Sequence, residues 1–123
     1  MPDEQSVYAE AVLRSLVGGQ AIVPSVWPLE VLNALLAAQR RGRITEGDTR
    51  LFLRRMAGLD IVEDHLEASR VFEHVHSIAL EYGLSSYDAS YLELALRKAL
   101  PLASLDKKLF DAAARAGVAL YRP

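Results

Sequence analysis

The runs Ala21-Ile22-Val23, Asp60-Ile61-Val62-Glu63, Leu102-Ala103-Ser104-Leu105 and Val118-Ala119-Leu120-Tyr121 are short and built around apolar residues, and each lies beside a stretch of helical period. That alternation constrains the fold more than any other feature. A strand buried on both faces reads as a brief apolar run, and helices between parallel strands supply the two covers. The chain is therefore expected to be an α/β protein, a three-layer sandwich with a short parallel sheet between helices. Four such strands are few for the six helices the periodicity gives, so the sheet reads as incomplete.

The helices are bounded by local signals. Val7, Tyr8, Ala11, Val12 and Leu16 form one face over 4–17, stopped by Gly18-Gly19. Trp27-Pro28 opens the next, with Leu29, Leu32, Leu35 and Leu36 on one stripe and an end at Arg40-Arg41-Gly42. Thr45 is placed to cap a helix carrying Leu51, Phe52, Leu53 and Met56. A long helix over 66–82 turns Val71, Phe72, Val75, Ile78, Ala79 and Tyr82 inward and closes at Gly83. Ser85 caps a helix over 86–99 with Tyr91, Leu92, Ala95 and Leu96 inward. Asp106 begins a last helix with Leu109, Phe110 and Ala113, ended by Gly117.

Composition removes several classes of function. The chain of 123 residues has no cysteine, which excludes a disulfide scaffold, a thiol nucleophile, a zinc ribbon and an iron–sulfur site. No uncharged apolar run approaches the roughly 18 residues of a membrane span. The acidic start Met1-Pro2-Asp3-Glu4 is unlike a signal peptide, so a cytoplasmic protein is expected. The net charge of −2 hides an asymmetry: six arginines lie between Arg40 and Arg55 against Glu46 and Asp48. Such a segment is either a polyanion-binding face or a solvated surface.

Three acids fall where the carboxyl edge of the sheet should lie, the usual ligand site of an open parallel sheet. Glu30 is in the first turn after strand 21–23, Asp88 opens the helix leading to strand 102–105, and Asp106 follows that strand. Singly, each is explained by the helix dipole or a cap. Together they would repel and raise one another's pKa, a cost that a divalent cation removes. An oxygen-only donor set favours Mg²⁺ or Mn²⁺, whose carboxylate sites serve phosphoryl chemistry.

The blocks Val23-Pro24-Ser25-x-Trp27-Pro28-Leu29-Glu30-Val31-x-Asn33-Ala34-Leu35, Gly83-Leu84-Ser85-x-Tyr87-Asp88-Ala89-x-Tyr91-Leu92-Glu93-Leu94-Ala95 and Leu100-Pro101-Leu102-Ala103-Ser104-Leu105-Asp106 resemble the PIN-domain nucleases, above all the VapC-type toxins. The resemblance spans essentially the whole chain and implies a PIN-like single domain over 1–123. It implies RNA cleavage with Mg²⁺ or Mn²⁺ held by Glu30, Asp88 and Asp106 as catalytic and metal-site acids. Ser104 resembles the small hydroxyl residue that accompanies the last acid. Glu93 lies five residues from Asp88, about 140° round the helix, and is read as either a supporting group or surface. The family's opening strand, of the Val-Leu-Asp-x-Ser kind, has no counterpart before residue 4, so the first central strand and its Asp are expected to be missing and the domain N-terminally incomplete.

The resemblance also implies partners: RNA, a VapB-like antitoxin and a second copy of the chain. Arg40, Arg41, Arg43, Arg50 and Arg54 are the candidate contacts to RNA backbone, where charge positions without specifying sequence. The alternative is a catalytically inactive module that docks RNA or an antitoxin without cutting. His74 and His76 point to opposite sides of a helix and are read as surface, and His65 stands alone. Trp27 reads as a core or interface anchor. Tyr87 and Tyr91 are candidates for stacking on RNA, with Tyr91 on the apolar stripe. Gly18-Gly19 precedes a strand, the wrong order for a phosphate loop.

Overall fold

The computed structural model describes residues 20–104 and 106–121; the helix expected over 4–17 and Leu105 lie outside them. Strand β1, Gln20–Pro24, pairs in parallel with β2, Asp60–Asp64, with Gln20 opposite Asp60 and Val23 opposite Glu63. Helices α1, Trp27–Arg40, and α2, Glu46–Ala57, form the crossover between them. Pro28 fits the first turn of α1, where its missing N–H is not needed. Thr45 accepts a hydrogen bond from the Asp48 amide at 3.0 Å, and the Asp48 carboxylate accepts one from the Thr45 amide at 2.9 Å. This reciprocal cap satisfies two backbone donors that the helix itself leaves unpaired, and it holds the Asp48 carboxyl below its ordinary pKa.

The next helix, α3, runs over 68–82 but is not uniform. Ala68–Arg70 leads into one π-helical turn, Val71–Val75, before α-geometry resumes over His76–Tyr82. The Ser77 hydroxyl donates back to the Glu73 carbonyl at 2.9 Å. Such back-bonding competes with the regular backbone ladder and bends helices. Gly83 ends α3 with φ +64, a left-handed conformation that a Cβ disfavours. Helix α4, Ser86–Lys98, follows under a cap from the Ser85 side chain, and α5, Lys107–Arg115, under a cap from Asp106.

The strands expected at 102–105 and 118–121 reduce to one parallel bridge, Leu102 with Leu120. It is held by Leu102 N–H to Ala119 O at 2.9 Å and Tyr121 N–H to Leu102 O at 2.7 Å. Pro101 has no N–H to extend this ladder backwards. The described structure thus keeps the expected α/β class, a short parallel sheet flanked by helices, with fewer paired strand residues than the sequence suggests.

The core lies among α3, α4 and α5. Val75, Leu84, Ala89, Leu92, Ala95, Leu102, Leu109, Ala112 and Ala113 form one buried cluster, with Leu92 fully enclosed. Truncating Leu92 to Ala would cost about 3 kcal/mol in lost burial and cavity. Packing of α4 against β1 joins this core to the sheet. Several expected inward residues are not inside. Phe72 is 76% exposed and Leu29 64% exposed, while Leu96 and Phe110 also face outward. No residue of α1 is buried, and the Thr49 hydroxyl of α2 donates to the Gln39 side chain of α1 at 3.1 Å.

Candidate acidic site

Helix α4 organises the site. Asp88 sits in its first turn, where its backbone amide donates to the Ser85 hydroxyl at 3.1 Å. Tyr91 is one turn further along, on the same side of the helix. Its phenol donates to the carboxylate of Glu30, in the first turn of α1. Asp106 caps α5, accepting from the Leu109 amide at 2.9 Å, and its own amide donates to the Ser104 hydroxyl at 3.0 Å. Ser104 therefore fixes the backbone that presents Asp106.

Asp88 feels the other two acids. The Asp88 carboxyl is pushed above its ordinary pKa by burial first, then by the negative charges of Asp106 and Glu30. Lys108 and the Ser85 hydrogen bond oppose this without cancelling it. Tyr91 is pushed strongly upward by burial, by its hydrogen bond to Glu30 and by the charges of Glu30 and Asp88, so its hydroxyl stays protonated and acts as a donor. The sequence pattern gave Asp88 and Tyr91 adjacent places on one helix, but the bond from Tyr91 to Glu30, 61 positions away, carries no local signal. Lys108, beside Asp88, was likewise not singled out by its sequence context.

Glu93 does not join this group. It is buried and receives two hydrogen bonds from Arg97, at 2.8 and 3.1 Å. Arg97 also holds Asp64 at the end of β2, which removes the surface reading of Glu93. His65, His74 and His76 are all exposed, with the His65 imidazole 3.5 Å from Glu63. Trp27 and Tyr91 are half-buried, and Tyr87 is exposed. Arg40, Arg41, Arg43, Arg54 and Arg55 are exposed, and Arg50 pairs with Glu46 at 2.5 Å on the surface of α2.

Among the described residues, no three acidic or imidazole side chains are gathered closely enough to enclose a metal ion by themselves. Mg²⁺ asks for less: it keeps several waters and takes one or two protein carboxylates together with substrate phosphate. The donor set of Glu30, Asp88 and Asp106 is anionic oxygen throughout, and the mutual repulsion felt by Asp88 is what a divalent cation relieves. In its chemistry the site fits such an ion.

A helix-rich α/β domain with a short parallel sheet flanked by helices is the class of fold that these elements define. The comparisons make the class specific. The PIN domain family matches residues 2–116, and the chain belongs to the PIN-domain nuclease family. The crystal structure of PAE2754 from Pyrobaculum aerophilum is similar, with a TM-score of 0.68 and 26% sequence identity, over 89% of this chain and 76% of that one. No curated protein matches. No helix among the described residues is long and apolar enough to cross a membrane.

Proposed function

We propose that the chain is a metal-dependent ribonuclease of the VapC toxin type, with Glu30, Asp88 and Asp106 as its metal-site acids. The observation that carries this reading is the link between two of the acids' helices: the phenol of Tyr91, one turn after Asp88 on α4, donates to the carboxylate of Glu30 on α1. Membership of a nuclease family gives that acidic group its chemistry. Mg²⁺ or Mn²⁺, when bound, supplies an activated water and a positive charge for the departing oxygen. Asp88 and Asp106 present their carboxylates from helix starts whose caps fix the backbone, and Glu30 is oriented by Tyr91. Lys108 offers a cation beside Asp88 for a phosphate oxygen. The arginines of 40–54 hold RNA backbone.

The exposed leucines of α1 and α2, Leu29, Leu32, Leu36, Leu51 and Leu53, support a protein partner on this hairpin. A VapB-like antitoxin and a second copy of the chain are the partners proposed. A second reading, an inactive module that binds RNA or antitoxin without cutting, is favoured by the absence of a three-ligand enclosure among the described residues.

The test is Mn²⁺ binding by calorimetry, alongside cleavage of a mixed single-stranded RNA pool in Mg²⁺, Mn²⁺ or chelator. Cleavage abolished by chelator and by Asp106→Asn is the expected result. Mn²⁺ affinity unchanged in both Asp88→Asn and Asp106→Asn overturns the metal site. Mn²⁺ binding and RNA binding without cleavage selects the inactive module.

A further inference from the structure

Glu30 and Asp88 belong to different elements, α1 and α4, and the link between their helices is the hydrogen bond from Tyr91, one turn after Asp88, to Glu30. A glutamate has three side-chain torsions, and holding it in one rotamer costs side-chain entropy. The Glu30 carboxylate is nevertheless held, by the phenol of Tyr91. Hydrogen bonds to a carboxylate are charge-assisted and stronger than neutral ones. Tyr91 lies three residues after Asp88, so its ring rises from the same side of α4 that carries Asp88. The ring also packs against the buried cluster, which fixes the hydroxyl from below.

We infer that Tyr91 is a positioning residue, whose hydroxyl holds the Glu30 carboxylate beside Asp88 so that a divalent cation meets two ligands already arranged. The inference rests on the metal site proposed above. Tyr91 touches neither the ion nor RNA in this role; it acts through Glu30. The energetic logic is preorganisation: the ordering of Glu30 and its approach to a like charge are settled in the fold and are not charged against binding. Groups of this kind, which orient ligands without being ligands, typically contribute 10–100-fold to metal affinity.

The experiment measures Mn²⁺ affinity of the full chain by calorimetry for wild type, Tyr91→Phe, Glu30→Gln, the double variant and Asp88→Asn. Tyr91→Phe keeps the ring in the core and removes only the hydroxyl. It is expected to weaken Mn²⁺ binding about tenfold, the lower end for such groups, with far-UV circular dichroism unchanged. In the Glu30→Gln background the same substitution is expected to have no further effect, because the carboxylate it positions is gone. A purely packing role for Tyr91 would not give that dependence on Glu30. If Tyr91→Phe fails to fold, Tyr91→Met removes the hydroxyl while a flexible side chain fills the space, with the same loss expected. Asp88→Asn separates the two readings. Unchanged Mn²⁺ affinity in Asp88→Asn and Glu30→Gln defeats the metal site itself. Weakened affinity in those two with wild-type affinity or tighter in Tyr91→Phe, or an equal loss from Tyr91→Phe with and without Glu30, overturns the role of Tyr91 and leaves the metal site standing.

Discussion

The Arg97 guanidinium binds the Asp64 carboxylate through both of its terminal nitrogens, fastening helix α4 to the end of strand β2 across 33 positions. The same guanidinium holds Glu93, one turn back on its own helix. Arg97 is held well above its ordinary pKa by Glu93 and Asp64, and Asp64 is held below its own by Arg97. The unit sits on the helix that carries Asp88 and Tyr91, so it sets the position of α4 relative to the sheet.

Arg97→Met is expected to destabilise the protein by about 3 kcal/mol, because Glu93 is then buried without a counter-charge. Urea unfolding gives the value. Glu93→Met in the same chain should recover more than half of it, since an apolar pair of similar volume removes the stranded charge. A loss below about 1 kcal/mol would make the unit an ordinary surface pair. The pH dependence follows from Asp64. Its folded pKa is depressed, so its contribution is present above about 3.9, the ordinary aspartate value, and lost as pH falls through the depressed value. Wild type should therefore lose stability below pH 4 more steeply than Arg97→Met does.

Asp88 has the opposite sign. Its folded pKa is raised, so the folded state holds the proton longer than the unfolded chain does. Without metal, this group weakens stability as pH rises from about 4 through the raised value, and the penalty stays at neutral pH. Asp88→Asn should raise the melting temperature by about 1–4 °C at pH 7 in chelator, net of a small loss of helix-dipole energy. Mn²⁺ should raise the melting temperature of wild type and fail to raise that of the variant. Scanning calorimetry with and without Mn²⁺ checks both, and a lower melting temperature for the variant in chelator would make Asp88 a helix-start residue alone.

Ala99 ends α4 with φ 54, a left-handed conformation in a residue that has a Cβ. Helices favour glycine there, because only glycine enters that region without steric cost. Ala99→Gly is expected to stabilise by about 0.5–1 kcal/mol, the strain relieved less the added freedom of the unfolded chain. Chemical denaturation with an unchanged slope tests it. A destabilised variant would mean the Ala99 methyl contributes more by packing than its backbone strain costs.

What the sequence revealed follows the range of the interactions. The Thr45 cap, Pro28 in the first turn of α1 and Gly83 at the end of α3 are decided within four residues, and all stand where the pattern puts them. The strand partners of Leu102 and Leu120 are a long-range matter, and there a run of apolar residues overstated the pairing. Periodicity located the stripe of Val71, Val75, Ile78 and Ala79, but could not say that Phe72 beside it faces solvent. The acids were legible as residues at helix starts. The field of Asp106 and Glu30 at Asp88, the Tyr91 donor and the Arg97–Asp64 tie all join segments at least 18 positions apart, and for Glu93 the matter depends on burial that spacing alone does not give.

The arginines of the α1–α2 hairpin give the last test. Arg50 and Arg54 are one turn apart on α2 and exposed, and the Arg50–Glu46 pair is 72% and 65% exposed. A pair so open contributes about 0–1 kcal/mol to stability, so changing it leaves the fold in place and isolates the effect on binding. If the two cations lie on RNA phosphates, each neutralised phosphate releases counterions, and the slope of log affinity against log salt carries about −0.7 per contact for a single strand. The double variant Arg50→Glu, Arg54→Glu should weaken binding of a labelled single-stranded RNA and flatten that slope by about 1.4. Fluorescence anisotropy between 50 and 200 mM salt, in chelator so that no cleavage intervenes, measures both. Equal affinity and an equal slope would leave these arginines as solvated surface and move the proposed RNA path to Lys108 and the helix starts around Asp88.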